Sequence, residues 1–457
     1  MQQEKKITFQ LLSSLMSSLL MGTLLLTSCG GKINAALNGE ESVVHRSYHF
    51  NNIVRHVSVR NDDKIIVAGN FTEYGPLEVG RFLRLNADGS LDESCLYSKF
   101  DNTVMDVTLL PDQSMIVVGL FMSYGNQPAK RIAKLNADCT LDTSFHNTPN
   151  TDHYFIKVAL QGSKILVGGR FSTYDGHTQG GLVRLNSNGI VDASFNSGNV
   201  GFDGGVMAIK VKDDQSILVG HGGTHYNNVA LSNLTKLNPN GGLDAAFFNG
   251  DQAGQATDRS SLINPVIAIE EIPCASESPI GFEQEGSCKN IVAAGAVSWY
   301  EDNTYTYNQT LMDGIGSVKN DGSLNTAFKR SHDGSIYALY DLLYDNDEQS
   351  LWIAGGMELY GVQVDGIAKM DIHGNLDQDF FSYSNLGFHS PGQDFDSSGN
   401  PSDFPETTDG PMIVYSLDQQ SNGKVLVGGM FTHFNNQKVN YFTRLNTDGS
   451  LDQSFGL

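Results

Sequence analysis

Several groups of side chains in this 457-residue sequence have the types and spacing that chemistry requires. Glu301 and Asp302 are adjacent carboxylates in a segment that also holds Trp299, Tyr300, Tyr305 and Tyr307. An acid and a base beside aromatic surfaces would suit cleavage of a polysaccharide, whereas the aromatics alone would form a rim that binds a protein or glycan. Asp394, Asp396 and Ser398 place oxygens at alternate positions ahead of Gly399, as in a calcium turn, but Pro405 stands at the twelfth position where a carboxylate would complete the set. An acidic loop without metal uses the same residues, so the expectation is no cofactor, with calcium as the alternative. No C-x-x-C pair is present and the His residues are scattered, which argues against zinc.

Two further sets of chemical groups recur. A basic residue returns as Arg84, Lys134, Arg184, Lys236, Lys369 and Arg444, and an acidic one as Asp92, Asp142, Asp192, Asp244, Asp377 and Asp452. Facing a channel they would make a charged ring. An ion pair or turn-capping contact rebuilt in each unit accounts for them without a ligand. Tyr74, Tyr124, Tyr174, Tyr226, Tyr300, Tyr360 and Phe434 are equally regular, as stacking platforms for sugars or as packing residues.

The scaffold is legible in the phrases that carry these residues. LNADGSLDESC from Leu85 returns from Leu135, Leu185, Leu237, Val318, Met370 and Leu445, and each copy follows an apolar phrase such as KIIVAGNF or KVLVGGMF. Each unit reads as four strands. In the first they are Ile53 to Arg60, Lys64 to Phe71, Arg81 to Asn86 and a strand from Leu91, with tight turns at Asn61-Asp62-Asp63 and Asp88-Gly89. Four antiparallel strands repeated at about 50 residues describe a propeller blade. The expected fold is therefore all-β, a single seven-bladed β-propeller of four-stranded antiparallel blades over 42–457. A β-solenoid is the alternative, but its terminal units are usually atypical. The segment from Val43 to Asn52 is expected to complete the last blade and latch the ring. The terminal Phe145, Phe195, Phe247, Phe328, Phe380 and Phe455 are expected to wedge between blades.

IIVAGNF with RLNADGSLDES, and VLVGGMF with RLNTDGSLDQSF, resemble the delta-60 repeat family of bacterial surface and secreted proteins. The resemblance covers Asn51 to Leu457, implies β-propellers and brings no catalytic activity. Repeats four to six depart from it most, with Gly223 where Phe is usual and Asn325 where Asp is usual.

Lys5 and Lys6 precede an almost uncharged, Leu-rich run from Ile7 to Leu26, which reads as a signal peptide over 1–28. Leu26-Thr27-Ser28-Cys29 resembles the bacterial lipobox, which implies lipidation of Cys29, a flexible tether over 29–41 and, with Gly30 next, the outer membrane. Four cysteines remain for an oxidising compartment. Cys274 and Cys288 bracket an insertion and form the favoured disulfide, with Cys95 and Cys139 as a second pair. With 29 basic and 51 acidic residues the chain would repel nucleic acid, so contact with a membrane is expected through the lipid alone. The insertions Asn249 to Ile263, Trp299 to Asp313 and Phe381 to Pro411 are expected on one rim. The reading is a non-enzymatic binding or scaffold propeller for protein or glycan partners at the cell envelope. A polysaccharide hydrolase or lyase is the rival.

Overall fold

The computed structural model describes residues 49–456, apart from 96–98, 248–264, 275–288, 296–305, 308–309, 312–313, 324, 326, 329–335, 360–361, 365, 378, 381–386, 390–411 and 436. Its apolar phrases are buried strands. Ile65–Gly69 is buried along its whole length and lies between Val54–Val59 and Phe82–Leu85, giving the antiparallel three-stranded sheet I. The first, second and third strands of the next three sheets follow in the same way. They are Val104–Leu109, Met115–Gly119 and Ile132–Leu135 in sheet II; Phe155–Gln161, Lys164–Gly169 and Leu182–Leu185 in sheet III; Val206–Val211, Ile217–His221 and Leu234–Leu237 in sheet IV. Sheet V has Val266–Pro273, Lys289–Gly295 and Ile315–Val318; sheet VI has Ile336–Asp345, Ser350–Leu359 and Ile367–Asp371; sheet VII has Ile413–Gln419, Val425–Met430 and Phe442–Leu445.

Branched aliphatic residues on both faces of the second strands require cover on both sides. The cover comes from the neighbouring sheets. Apolar clusters lie between I and II, II and III, III and IV, IV and V, V and VI, and VI and VII. A seventh joins Val54, Val57 and Leu83 of sheet I to Leu426 and Phe442 of sheet VII. The first strands follow the same circuit, each against the next, and Ile413–Gln419 lies against Val54–Val59.

In six units the fourth segment is shorter than the expected strand. It is held by single bridges, Leu85 to Leu91, Leu135 to Leu141, Leu185 to Val191, Leu237 to Leu243, Met370 to Leu376 and Leu445 to Leu451. The cause is the residue that follows. Asp92 accepts hydrogen bonds from the Ser94 amide and hydroxyl, and its carbonyl accepts from Cys95 N, so the chain turns after one pair. Of the segment expected to latch the ring, residues 49–52 are described. Phe50 bridges to Tyr74 in its own unit, and its ring meets Phe442 of sheet VII edge-on at 5.7 Å. Residues 43–48 lie outside the described residues.

The terminal phenylalanines wedge between consecutive sheets at one repeated spot, the turn glycine of the following unit. A Cβ at Gly89 would lie 2.9 Å from the Phe455 ring, and one at Gly189 2.8 Å from Phe145, so glycine is required by crowding as well as by φ values of 87° and 86°. At the junction of sheets I and II both partners are replaced. Cys95 stands at the Phe position and Cys139, with φ 67°, at the Gly position, and their sulfurs are bonded across a sequence separation of 44. Repeat four departs differently. His221 is wholly buried with its ring 4.5 Å from Phe202, taking the aromatic slot that Phe71 and Phe121 fill elsewhere, beside Phe50 and Phe100.

A fully buried Phe contributes about 2–3 kcal/mol, and a disulfide closing a loop of this length about 3–4 kcal/mol. The double variant C95F/C139G should therefore melt within a few degrees of the oxidised protein, while C95A/C139A melts well below both. Calorimetry of the three proteins without reductant checks this; a collapse of C95F/C139G would show that the junction cannot accept the repeated contact.

Candidate functional site on the first strands

The recurring charges are committed to the scaffold. Arg84 Nε is 2.6 Å from Asp92, Lys134 3.0 Å from Asp142, Arg184 3.0 Å from Asp192, Lys236 3.0 Å from Asp244 and Arg444 2.7 Å from Asp452. All five basic residues lie on third strands, so they do not form the charged channel ring. In sheet V the pair is neutral, Asn325 donating to Ser317 Oγ, and in sheet VI Lys369 turns to Glu348. Burial opposes ionisation of Asp192, but Ser194 and Lys164 with Arg184 outweigh it and hold its pKa at about 2. The repeated tyrosines are buried too. Tyr74, Tyr124, Tyr174 and Tyr226 each donate to the carbonyl of the turn residue at Gly89, Cys139, Gly189 and Gly241, which rules them out as sugar platforms.

Of the other sequence-predicted residues, Cys29, Cys288, Trp299, Tyr300, Glu301, Asp302, Tyr305, Asp394, Asp396 and Ser398 lie outside the described residues. Cys274 is disulfide-bonded, and Tyr307 ends the short strand Thr306–Tyr307. No three His, Cys, Asp or Glu among the described residues are placed to share a metal ion.

The site that sequence reading missed is made by a bulge repeated in every first strand. Register shifts between Val54 and His56, Val104 and Asp106, Phe155 and Lys157, and Val206 and Ala208. It shifts again between Val266 and Ala268, Leu339 and Asp341, and Val414 and Ser416. Each bulge inserts one residue and re-aims two neighbouring side chains. It also swings the preceding carbonyl onto the second strand: a Cβ at Gly69 would lie 2.2 Å from Ile53 O. The glycine of the apolar phrase was visible in the sequence, but the pairing register that gives it meaning was not.

Charged residues that follow four of the bulges, His56, Asp106, Lys157 and Asp341, interact with one another across the circuit. His56 Nδ1 of sheet I is 2.8 Å from Asp106 of sheet II, and Lys157 Nζ of sheet III is 3.6 Å from the same carboxylate. Asp106 also accepts from Val158 N at 2.9 Å. Burial favours its neutral form, yet Lys157, His56 and that amide together hold its pKa below the usual carboxylate range. Lys157 also interacts electrostatically with Asp341 of sheet VI, which is not its neighbour in the circuit. Asp341 accepts from Leu417 N at 2.8 Å, and burial pushes it up to about 6 despite Lys157. Asp418 accepts from Val59 N at 2.7 Å and is likewise raised by burial. His56 Nε2 has no hydrogen-bond partner among the described residues. The carboxylates are thus occupied as acceptors for backbone amides of the next first strand.

The inserted residues form a separate layer, all partly accessible. Arg55 lies over the Tyr415 ring, 5.1 Å from its centroid, and Tyr340 packs edge-on against Tyr415 at 4.8 Å. Burial raises the pKa of both phenols, so they remain donors.

Residues 60–94, 110–145, 163–195 and 420–455 match a family model described as "Domain of unknown function (DUF5122) beta-propeller". The chain has a propeller fold. Comparison of this propeller with curated proteins gives no match. Among solved structures, the extracellular domain of BT4673 from B. thetaiotaomicron aligns at TM-score 0.45 and 12% identity over 85% of this chain, which spans 39% of that one. The computationally designed Ika8 protein aligns at 0.44 and 11%, covering 87% of this chain and 96% of its own. The WD40 beta propeller domain of Doa1 aligns at 0.40 and 12%, covering 84% and 94%. No helix among the described residues is long and apolar enough to cross a membrane.

The Asp341 carboxyl gives the propeller a pH signature. Its folded pKa is raised, so its contribution to stability is complete below the unfolded value of 3.8 and is lost as pH rises through about 6. The melting-temperature difference between the wild type and D341N should therefore move toward the wild type as pH falls from about 7.5 to 5. A difference that stays flat over that range would place the titration elsewhere.

Proposed function

We propose that this chain is an exported, lipid-anchored β-propeller of seven blades that binds a protein or glycan partner at a bacterial cell envelope and catalyses no reaction. The observation that carries the reading is the commitment of the repeated polar groups. The pairs from Arg84–Asp92 to Arg444–Asp452 and the buried tyrosines hold sheets together, which leaves the insertions and the first-strand layer to meet a partner. Long loops on a rigid scaffold are suited to recognition, so the aromatic insertion with Trp299, Tyr300, Tyr305 and Tyr307 is the contact rim in this reading.

Seven sheets around one circuit, with VII packed on I, support the blade count. The bonded Cys95, Cys139 and Cys274 suit an oxidising compartment. The run ending Leu26-Thr27-Ser28-Cys29 supports export and acylation, and Gly30 the outer membrane. Acyl chains hold such a protein at a bilayer by about 0.8 kcal/mol per buried methylene.

Metabolic labelling with palmitate should mark the wild type and not C29A, and C29A should leave the membrane fraction. Equal labelling, or equal sedimentation with membranes, would remove the anchor. Deletion of residues 299–313 should abolish partner binding by the acyl-free chain on a glycan array or in an envelope pull-down without lowering its melting temperature; unchanged binding would reject the rim.

A further inference from the structure

The seven inserted bulge residues stand on consecutive first strands in the order Arg55, Met105, Ile156, Met207, Ile267, Tyr340 and Tyr415. Because Ile413–Gln419 lies against Val54–Val59, the order returns to Arg55. Chemistry is segregated around this loop. Four neighbours are Met or Ile, with no group that can donate to or accept from a ligand beyond a weak thioether. The other three are a guanidinium and two phenols in mutual contact.

Arg55 is held and not neutralised. Its Nε donates to Asn70 Oδ1 at 2.7 Å and its face rests on Tyr415, while no carboxylate among the described residues forms an ion pair with it. This contrasts with Arg84, Arg184 and Arg444, each of which has an Asp. In a chain of net charge -22, a partly accessible, pre-positioned guanidinium without a carboxylate is a place where an anion is welcome. The next layer in carries Asp106 and Asp341, whose oxygens already accept amide protons and which oppose a second negative charge.

We propose that the inserted layer is a binding site for a small amphipathic monoanion, an apolar body bearing one carboxylate. The carboxylate pairs with the Arg55 guanidinium within reach of the Tyr340 and Tyr415 hydroxyls, and the apolar body lies against Met105, Ile156, Met207 and Ile267. This deepens the binding function above and rests on it, but it uses a different surface from the aromatic insertion. The bulge is what makes the site: a regular strand would turn every one of these seven residues to the face of a sheet.

Calorimetric titration of the purified full chain with 4-phenylbutyrate, and with its neutral amide, tests the proposal. The carboxylate should bind and the amide should bind about tenfold or more weakly, one charge-assisted contact being worth that much. R55Q should remove the preference for the carboxylate. M207Q should weaken both ligands and keep the preference. The comparison of acid with amide in the wild type needs no variant, so it stands even if R55Q folds poorly. No binding of 4-phenylbutyrate, equal binding of acid and amide, or a preference that survives in R55Q would overturn the proposal. Loss of phenylbutyrate binding with partner capture still dependent on residues 299–313 would sink this site and leave the general binding function standing.

Discussion

The structure depends on how the exposed edge of each first strand is satisfied. A strand whose inner edge has no partner presents backbone amides that water or side chains must meet. Here the neighbouring sheet supplies the acceptors. Asp106 takes Val158 N, Asp341 takes Leu417 N, Asp418 takes Val59 N and Ser416 Oγ takes Val57 N. Each of these bonds ties one sheet to the next, so a single device both closes an edge and sets the angle between sheets. It also explains the acidity at the centre: those carboxylates are acceptors first, and their shifted ionisation follows from burial.

Recurrence made the outer part of the scaffold readable. The turn residues, the second strands, the third strands and the wedge phenylalanines were all visible as repeated phrases, because each is a local choice rewritten in every unit. The fourth strand is cut short for a local reason, since Asp92 accepts from the Ser94 amide and turns the chain. The disulfide was legible in part. Cys95 and Cys139 each broke the pattern at a Phe and at a Gly, and the two positions touch only between consecutive units, which a reading within one unit does not show.

The first-strand layer was not legible. Arg55, Tyr340 and Tyr415 share no phrase, and in the sequence they are 285 and 75 positions apart (340 − 55 and 415 − 340). What unites them is a register shift, a property of pairing and not of composition. The same holds for His56, Asp106, Lys157 and Asp341, which are unlike one another because each faces the others and not its own copy. Repetition describes what every sheet does for its neighbours; the centre, which belongs to all of them, is written without repetition.

The join between sheets VII and I carries a consequence for the order of assembly. Arg444 reaches the Ala87 carbonyl across 357 residues of sequence, Gly456 N donates to the Asp88 carbonyl, and Gln420 bonds the same turn across 333. Other neighbouring sheets meet across roughly one repeat, and contacts between near segments form sooner than distant ones. Sheet I must therefore wait, with one apolar flank uncovered, until the last unit has been synthesised. The cysteine bond secures its other flank to sheet II in the meantime, so sheet I has one open flank and not two.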